Sequence, residues 1–184
     1  MRYPAAETAA KHKNIIREAA RLFRERGFSG VSVAEIMQAT GLTHGPFYNH
    51  FPSKEVLMAE SVEHGLESIL AGLEQVGNSP RKRAEYLDHY LSTTHRDAPG
   101  KGCTMAALAA DIRQESGVRR TFTAHVKGII EKMVSNFAWK SKRSARGNTI
   151  RMLSTIVGAL ILARAVDDEA FSNEILREAR RGLT

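Results

Sequence analysis

Apolar residues recur along this chain at the three- and four-residue spacing of an amphipathic helix. Near the N-terminus, Ile15, Ala19, Leu22 and Phe23 form one such stripe, which ends at Gly27. No window shows the apolar–polar alternation of a half-buried strand, and no Asn-Gly hairpin signal occurs. The pattern therefore predicts an all-α chain of about nine helices.

Capping and breaking residues place the boundaries of these helices. Gly27 ends the first helix, a Gly-Asn-Ser-Pro turn follows the fourth, and Ser116-Gly117 follows the sixth. Asp167 is the expected cap of the last helix. After the first helix, we predict helices over 33–40, 44–49, 54–76, 81–95, 104–115, 118–141, 145–166 and 168–181.

The second and third predicted helices are short and lie on either side of a glycine. Ser32 and Glu35 form an S-x-x-E capping box at the start of the second helix. Gly41 ends that helix, and Thr43 is the expected N-cap of the third. Two short helices at a tight turn are the helix-turn-helix plan, whose second helix reads the DNA major groove.

At these residues the chain resembles the TetR family of transcriptional regulators. The resemblance covers about 50 residues at the N-terminus, whereas the remainder agrees only in length and helical character. It implies a three-helix DNA-binding head at 1–52 and a larger helical body for ligand binding and dimerisation at 53–184. The matching positions are Gly27, Phe28, Val33, Ile36, Gly41, Leu42, Thr43, Gly45, Phe47, Tyr48, Phe51, Lys54 and Leu57.

The resemblance also implies which residues contact DNA. Tyr48 and Lys54 are expected to bind backbone phosphates, and His44 to reach a base edge or a phosphate. We expect Phe47 and Phe51 to be core residues that hold the recognition helix in place. The full set of expected DNA contacts is Ser32, Thr43, His44, Gly45, Pro46, Tyr48, Asn49, His50 and Lys54.

Pro46 departs from the family pattern, which usually has a small or polar residue at this position. Proline is tolerated in the first turn of a helix, where the backbone N–H has no intrahelical partner. It offers a base no hydrogen bond and can only pack against an apolar edge such as a thymine methyl. An operator preference therefore cannot be carried over from relatives.

The segment 151–166 is apolar on almost all sides, which is typical of a helix that is buried on most sides. The resemblance implies that the last two helices pair with those of a second copy, and an ordinary intramolecular core is the alternative. The residues expected at the dimer interface are Leu153, Val157, Leu160, Ile161, Phe171 and Ile175.

A ligand pocket in the body is implied by the resemblance, although each candidate residue, taken singly, is more often plain core. Cys103 precedes a predicted helix and follows Lys101, and both features favour a reactive thiolate. A small buried packing residue is the alternative for Cys103. The candidate ligand or sensing residues are Tyr86, Tyr90, Cys103, Met105, Phe122 and Phe137.

Composition narrows the classes of protein. The net charge is +7 and the pI about 9.8. Residues 1–54 hold eight basic and four acidic residues, so they supply four of the seven net charges. This suits polyanion binding, although a solvated helix face is the simpler interpretation of charge alone.

With one cysteine, no signal-like segment and no apolar run of membrane-spanning length, we expect a cytoplasmic protein without a membrane partner.

No motif of a common enzyme class is found: there is no phosphate-binding glycine loop, no G-x-S-x-G and no H-E-x-x-H. We therefore expect no catalysis, no cofactor and no metal.

The leading hypothesis is a homodimer that binds a double-stranded DNA operator and represses transcription until an unidentified small-molecule inducer releases it. A thiol-based repressor that senses oxidants or electrophiles through Cys103 and a ligand-independent DNA-binding activator remain alternatives.

Overall fold

The computed structural model describes residues 5–43, 45–137, 139 and 141–183, and its regular elements there are all helical. The expectation of an all-α fold is thus confirmed. A 3-10 turn at Pro99–Lys101 lies between the sixth and seventh helices. The helices are α1 Ala5–Arg26, α2 Val33–Ala39, α3 Phe47–His50, α4 Lys54–Val76, α5 Pro80–Tyr90, α6 Thr93–Asp97, α7 Thr104–Ile112, α8 Ser116–Asn136, α9 Lys142–Ala165 and α10 Glu169–Arg181.

The head is formed by α1, α2, α3 and the first turns of α4. Its core contains Phe23, Ile36, Phe47, Phe51 and Leu57, each with no exposed surface. The expectation that Phe47 and Phe51 are core residues is confirmed. Because both lie on the inner side of α3, they fix the orientation of that four-residue helix, which could not persist alone.

Both ends of α2 are closed by local hydrogen bonds, as the sequence predicts. The Ser32 hydroxyl accepts from the Glu35 N–H while the Glu35 carboxylate accepts from the Ser32 N–H, which completes the capping box. At the other end Gly41 has a φ of +73°, and the Gly41 and Leu42 N–H groups donate to the carbonyls of Gln38 and Met37. This is a Schellman motif, and it fixes the angle of the turn.

The body is built around α4, which packs along α8, while α9 and α10 form an antiparallel pair beside them. One continuous apolar core runs from the head into the body along α4. No helix in the described part of the chain is long and apolar enough to cross a membrane.

A second connection between head and body lies at the C-terminal end of α1. The Phe28 N–H donates to the Asp111 carboxylate of α7 at 3.0 Å. The Arg24 guanidinium donates to the Gly100 carbonyl in the 3-10 turn, through Nε at 3.0 Å and also through Nη2. The sequence gives no sign of this contact, because Arg24 and Gly100 are 76 residues apart.

Several predicted helix boundaries were wrong. The expected helix 81–95 is two helices, because Ser92 caps α6 with its hydroxyl on the His95 N–H. Ser116 is the first residue of α8 and does not lie between two helices as expected. Asp168, not Asp167, caps α10. The predicted N-cap role of Thr43 is also wrong, because α3 begins at Phe47 with Pro46 at its N-cap and no capping side chain.

Candidate DNA-reading surface and ligand cavity

The outer side of α3 presents two neighbouring polar side chains. Tyr48 is 66% exposed, and its ring packs edge-on against buried Phe47 at 5.1 Å between centroids. Asn49 is exposed beside it. Gly45 and Thr43 are exposed and Pro46 is half-buried, whereas His44 lies outside the described residues. The expected DNA contacts on and just before α3 are thus at least partly exposed. These are Thr43, Gly45, Pro46, Tyr48 and Asn49.

Ser32 belongs to the start of α2, where its cap role is confirmed. Its hydroxyl also donates to Glu35 Oε2 at 2.7 Å, and Arg26 pairs with Glu35 Oε1 at 2.8 Å. Hydrogen bonds from the Ser32 backbone and hydroxyl, and then from Arg26, lower the pKa of Glu35 to about 2. Glu35 thus stays ionised at neutral pH and fixes the side chains at this end of the head.

His50 lies at the inner end of α3, next to a histidine of α1. His12 stacks on Phe51 at 4.4 Å and approaches the His50 ring at 5.9 Å, and its Nε2 is 2.9 Å from Glu60 Oε2 on α4. Partial burial, and then the charges of His12 and Lys11, lower the pKa of His50. His50 is therefore half-buried between α3 and α1, not fully exposed like Asn49.

Lys54 makes contacts that the sequence did not suggest. Its ammonium donates to the carbonyls of Phe28 at 2.7 Å and Val31 at 2.6 Å, in the loop between α1 and α2. It also lies 5.9 Å from the centre of the Phe23 ring. These bonds explain a lysine in the first turn of a helix without any phosphate, so Lys54 is here a structural residue of the head.

A cavity of about 300 Å³ lies in the body beside α4. It brings together three of the six expected ligand residues, Tyr86, Tyr90 and Cys103. The other three lie elsewhere: Met105 and Phe137 are core residues, and Phe122 packs half-buried against the core. Wall residues that the sequence did not single out include Arg24, His64, His89 and His95. Lys101, which the sequence had placed beside Cys103, also borders the cavity.

His95 organises one wall of the cavity. Its Nδ1 is 2.7 Å from the Tyr90 carbonyl and its Nε2 is 3.1 Å from the Cys103 backbone N–H. The second contact requires an unprotonated Nε2, so the imidazole is neutral with its proton on Nδ1. Burial is the main cause that lowers the pKa of His95, consistent with that neutral form. His95 therefore holds Cys103, which is 4% exposed, at the N-terminus of α7.

The sequence of the head matches a known family. Residues 15–60 match the model of bacterial regulatory proteins, tetR family. That segment contains the capping box, the Gly41 turn and α3. Over these residues the chain has the DNA-binding head of the TetR family of transcriptional regulators. It is accordingly a DNA-binding transcription regulator.

Sequence similarity to other regulators extends beyond the head. The HTH-type transcriptional repressor DhaR of Mycobacterium sp. (strain GP1) is 28% identical over 113 residues, 59% of this chain but only 56% of DhaR. Rv0196, an uncharacterized HTH-type transcriptional regulator of Mycobacterium tuberculosis, is 25% identical over 93% of both chains. A TetR-family regulator from Agrobacterium tumefaciens has the same fold, with a TM-score of 0.78, 23% identity and coverage of 96% of this chain and 99% of that one.

The predicted dimer residues of this TetR-family chain divide between an outer surface and the core. Ile161 and Phe171 are 42% and 50% exposed, and Val157 and Ile175 are half-buried. Leu160 has no exposed surface and Leu153 only 8%. Leu160 and Leu153 therefore already pack in the core of one protomer, and they offer a second copy little surface.

One group of side chains in the TetR body has the arrangement of metal ligands. Oxygens of Glu63 and Glu67 on α4 and a nitrogen of His125 on α8 lie within 4.8 Å of one another. Both glutamates are exposed, and His125 Nδ1 is 3.0 Å from the Thr121 carbonyl, which leaves Nε2 as the possible ligand atom. These residues could hold a cation between the two helices. The sequence gave no sign of it, because 58 or more residues separate the two elements.

Proposed function

We propose that this chain is a dimeric repressor that binds a near-palindromic operator and is released by a small molecule bound in the cavity beside α4. The observation that carries the proposal is α3. Its inner residues Phe47 and Phe51 are fully buried, while Tyr48 and Asn49 on its outer side are exposed. A rigidly held short helix with exposed polar groups after a glycine turn is built to enter a major groove.

The proposed contacts divide into two kinds. Tyr48 binds a backbone phosphate, which positions the head without reading sequence. Asn49, together with the exposed residues Gly45 and Thr43, would read base edges. His44, which lies outside the described residues, is expected from the sequence to do the same. Pro46 packs against the groove. Ser32 adds a phosphate contact only secondarily, because its hydroxyl is already used in the cap.

The dimer would form through the outer side of α9 and the start of α10. Four large apolar side chains there, Ile150, Ile161, Leu162 and Phe171, are between 42% and 57% exposed. Gly158 lies on the same helix, and nothing in the described structure comes within 4 Å of where its Cβ would be. Several exposed large apolar side chains on neighbouring elements, with room for close helix approach, are typical of a protein–protein interface. Two heads would then meet successive major grooves about 34–36 Å apart.

Selection of random DNA duplexes by the full chain tests the proposal directly. The selected sites should be near-palindromic with half-sites about one helical turn apart. On that operator, Tyr48→Phe should weaken binding of all sequences alike, by about 10-fold or more, because a hydrogen bond to a charged phosphate contributes about 1.5–3 kcal/mol. Asn49→Ala should instead change base preference. Selected DNA without two-fold symmetry, or a Tyr48→Phe variant with altered base preference, would contradict this assignment.

A thiol-based switch is the second candidate, and one observation favours it: Cys103 borders the cavity at the N-cap of α7. Cys103→Ser separates the two versions in an operator-release assay. If oxidants or electrophiles release the wild type but not Cys103→Ser, the thiol is the sensor. If a small molecule releases both proteins equally, Cys103 is a packing residue and the cavity senses by binding.

A further inference from the structure

The wall of the cavity beside α4 is positively charged. Among the described residues of its wall, Arg24 and Lys101 are permanently cationic and none is acidic. The neighbouring open groove, of about 610 Å³, also borders Arg24 and has Arg96 and Arg164 on its wall, but these are accompanied by four carboxylates: Glu25, Asp97, Asp167 and Glu169. The difference shows that the positive wall is a local property of the cavity and does not simply follow from the net charge of the chain.

Arg24 is half-buried without a counter-ion. Within the described residues it forms no ion pair. The acid next to it in the chain, Glu25, is close enough to attract its charge but pairs with Arg21 at 2.9 Å. Arg24 Nε and Nη2 bind the Gly100 carbonyl, whereas Nη1 has no hydrogen-bond partner in the described part of the chain. Burial lowers the pKa of Arg24, which shows that its charge is poorly solvated. A buried charge is costly unless it is paired, so an anion in the cavity would offset that cost.

A second donor is also unused. The Tyr90 hydroxyl is buried beside the Cys103 sulfur, yet it has no partner of good hydrogen-bond geometry among the described residues. Burial raises the pKa of Tyr90 and of Tyr86, so both phenols stay protonated and act as donors. Buried polar groups are rarely left unsatisfied, and an acceptor in the cavity would satisfy this one after a small rotation of the ring.

The α4 wall provides space and an apolar surface. Gly65 and Gly72 lie two turns apart, with Ile69 between them, and all three border the cavity. A Cβ at Gly72 would meet nothing within 4 Å, so packing in the described structure does not require glycine there. Glycine in a helix interior costs about 1 kcal/mol relative to alanine, which is explained if the space is used. The cavity volume is at the lower end for ligand sites, so the ligand is small.

We propose, on the basis of the repressor function above, that this cavity binds a small organic carboxylate and that this class of anion is the inducer. The carboxylate pairs with Arg24 and Lys101, accepts from the Tyr90 hydroxyl, and places its apolar part against Ile69 and the two tyrosine rings.

The position of Arg24 gives the anion a route to the head. Arg24 belongs to α1 and holds the 3-10 turn of the body through the Gly100 carbonyl. A carboxylate that draws the guanidinium towards α4 weakens this bond between head and body. An inducer acts only if it binds the released form more tightly, and the exchange of a carbonyl partner for a carboxylate supplies such a difference.

The test uses matched pairs of ligands on the full chain at fixed ionic strength. Acetate, butyrate, hexanoate, benzoate, phenylacetate and salicylate are each compared with the corresponding primary amide by calorimetry. At least one carboxylate should bind about 10-fold or more tightly than its amide, because a charge-assisted pair is lost in the amide. Inorganic phosphate, which lacks an apolar part, should bind more weakly than that carboxylate.

Three variants locate the site. Lys101→Met should lower the affinity of that carboxylate by about 3-fold, since the ammonium is exposed. Arg24→Met should lower it by about 10-fold or more. Gly72→Leu should abolish binding of every carboxylate by filling the cavity. Lys127→Met, which removes an exposed charge on α8 outside the cavity, is the matched control and should change nothing.

The outcomes separate this inference from the repressor function. If no carboxylate is preferred over its amide, or the preference survives in Gly72→Leu, the anion site is wrong. Phosphate binding as tight as any organic acid overturns it too. If an amide or another neutral compound releases operator DNA while carboxylates do not bind, the repressor function stands and the anion inference falls. If a carboxylate binds as expected but leaves operator affinity unchanged, the anion site stands and its role as inducer falls.

Discussion

Ile161→Glu and Phe171→Glu are each expected to convert the proposed dimer into monomers and to weaken operator binding by about 100-fold or more. Both side chains are about half exposed in one protomer, so a glutamate at either position faces solvent and the protomer still folds. In a two-fold dimer each substitution places two carboxylates in an apolar interface. Without the dimer, the second head loses its high effective concentration on the operator, which is usually worth a factor of 10²–10⁴.

Light scattering at micromolar concentration and operator titration measure the two effects on the same preparations. Ala124→Glu is the matched control, because it introduces the same charge at an exposed alanine of α8. It should remain dimeric with wild-type operator affinity. Dimers of unchanged operator affinity in both Ile161→Glu and Phe171→Glu would show that the two copies meet elsewhere.

Lys54→Met is expected to lower the free energy of unfolding by about 2–4 kcal/mol, because two hydrogen bonds from a charged donor are lost. Methionine keeps most of the aliphatic stem, so the loss is specific to the ammonium. The carbonyls of Phe28 and Val31, two residues whose side chains are buried, would then remain without that donor. Urea unfolding followed by circular dichroism measures the change.

The salt dependence of operator binding distinguishes this role from a phosphate contact. A lysine that neutralises one phosphate reduces the slope of log affinity against log salt by about 1. Lys54→Met should leave that slope unchanged at temperatures where the variant is folded. Lys13→Met, on an exposed position of α1, is the control for stability and should leave the unfolding free energy unchanged. A reduced slope with wild-type stability would restore the phosphate role to Lys54.

The parts of the structure that the sequence predicted well are those held by local interactions. The α2 capping box joins residues three apart, and the Gly41 turn is closed by bonds across five residues. Phe47 begins α3 and Phe51 directly follows it, so their four-residue spacing predicts burial on the same side. The α5–α6 break had a local signal as well, the cap between Ser92 and His95, but the apolar pattern on either side hid it.

The sequence by itself thus determined the all-helical fold, the helix-turn-helix and the family, because these depend on spacing, capping and turn chemistry within a few residues. Only the tertiary structure decided the roles of Lys54, Arg24 and Leu160. Lys54 and Arg24 bind backbone carbonyls that are 23 to 76 residues away in the sequence. The sequence does not show whether a charged side chain contacts a phosphate or a loop of its own chain. Leu160 lies on a helix that is apolar on almost every side. The spacing of apolar residues therefore could not show which side of the helix faces the protomer's own core and which side faces a second copy.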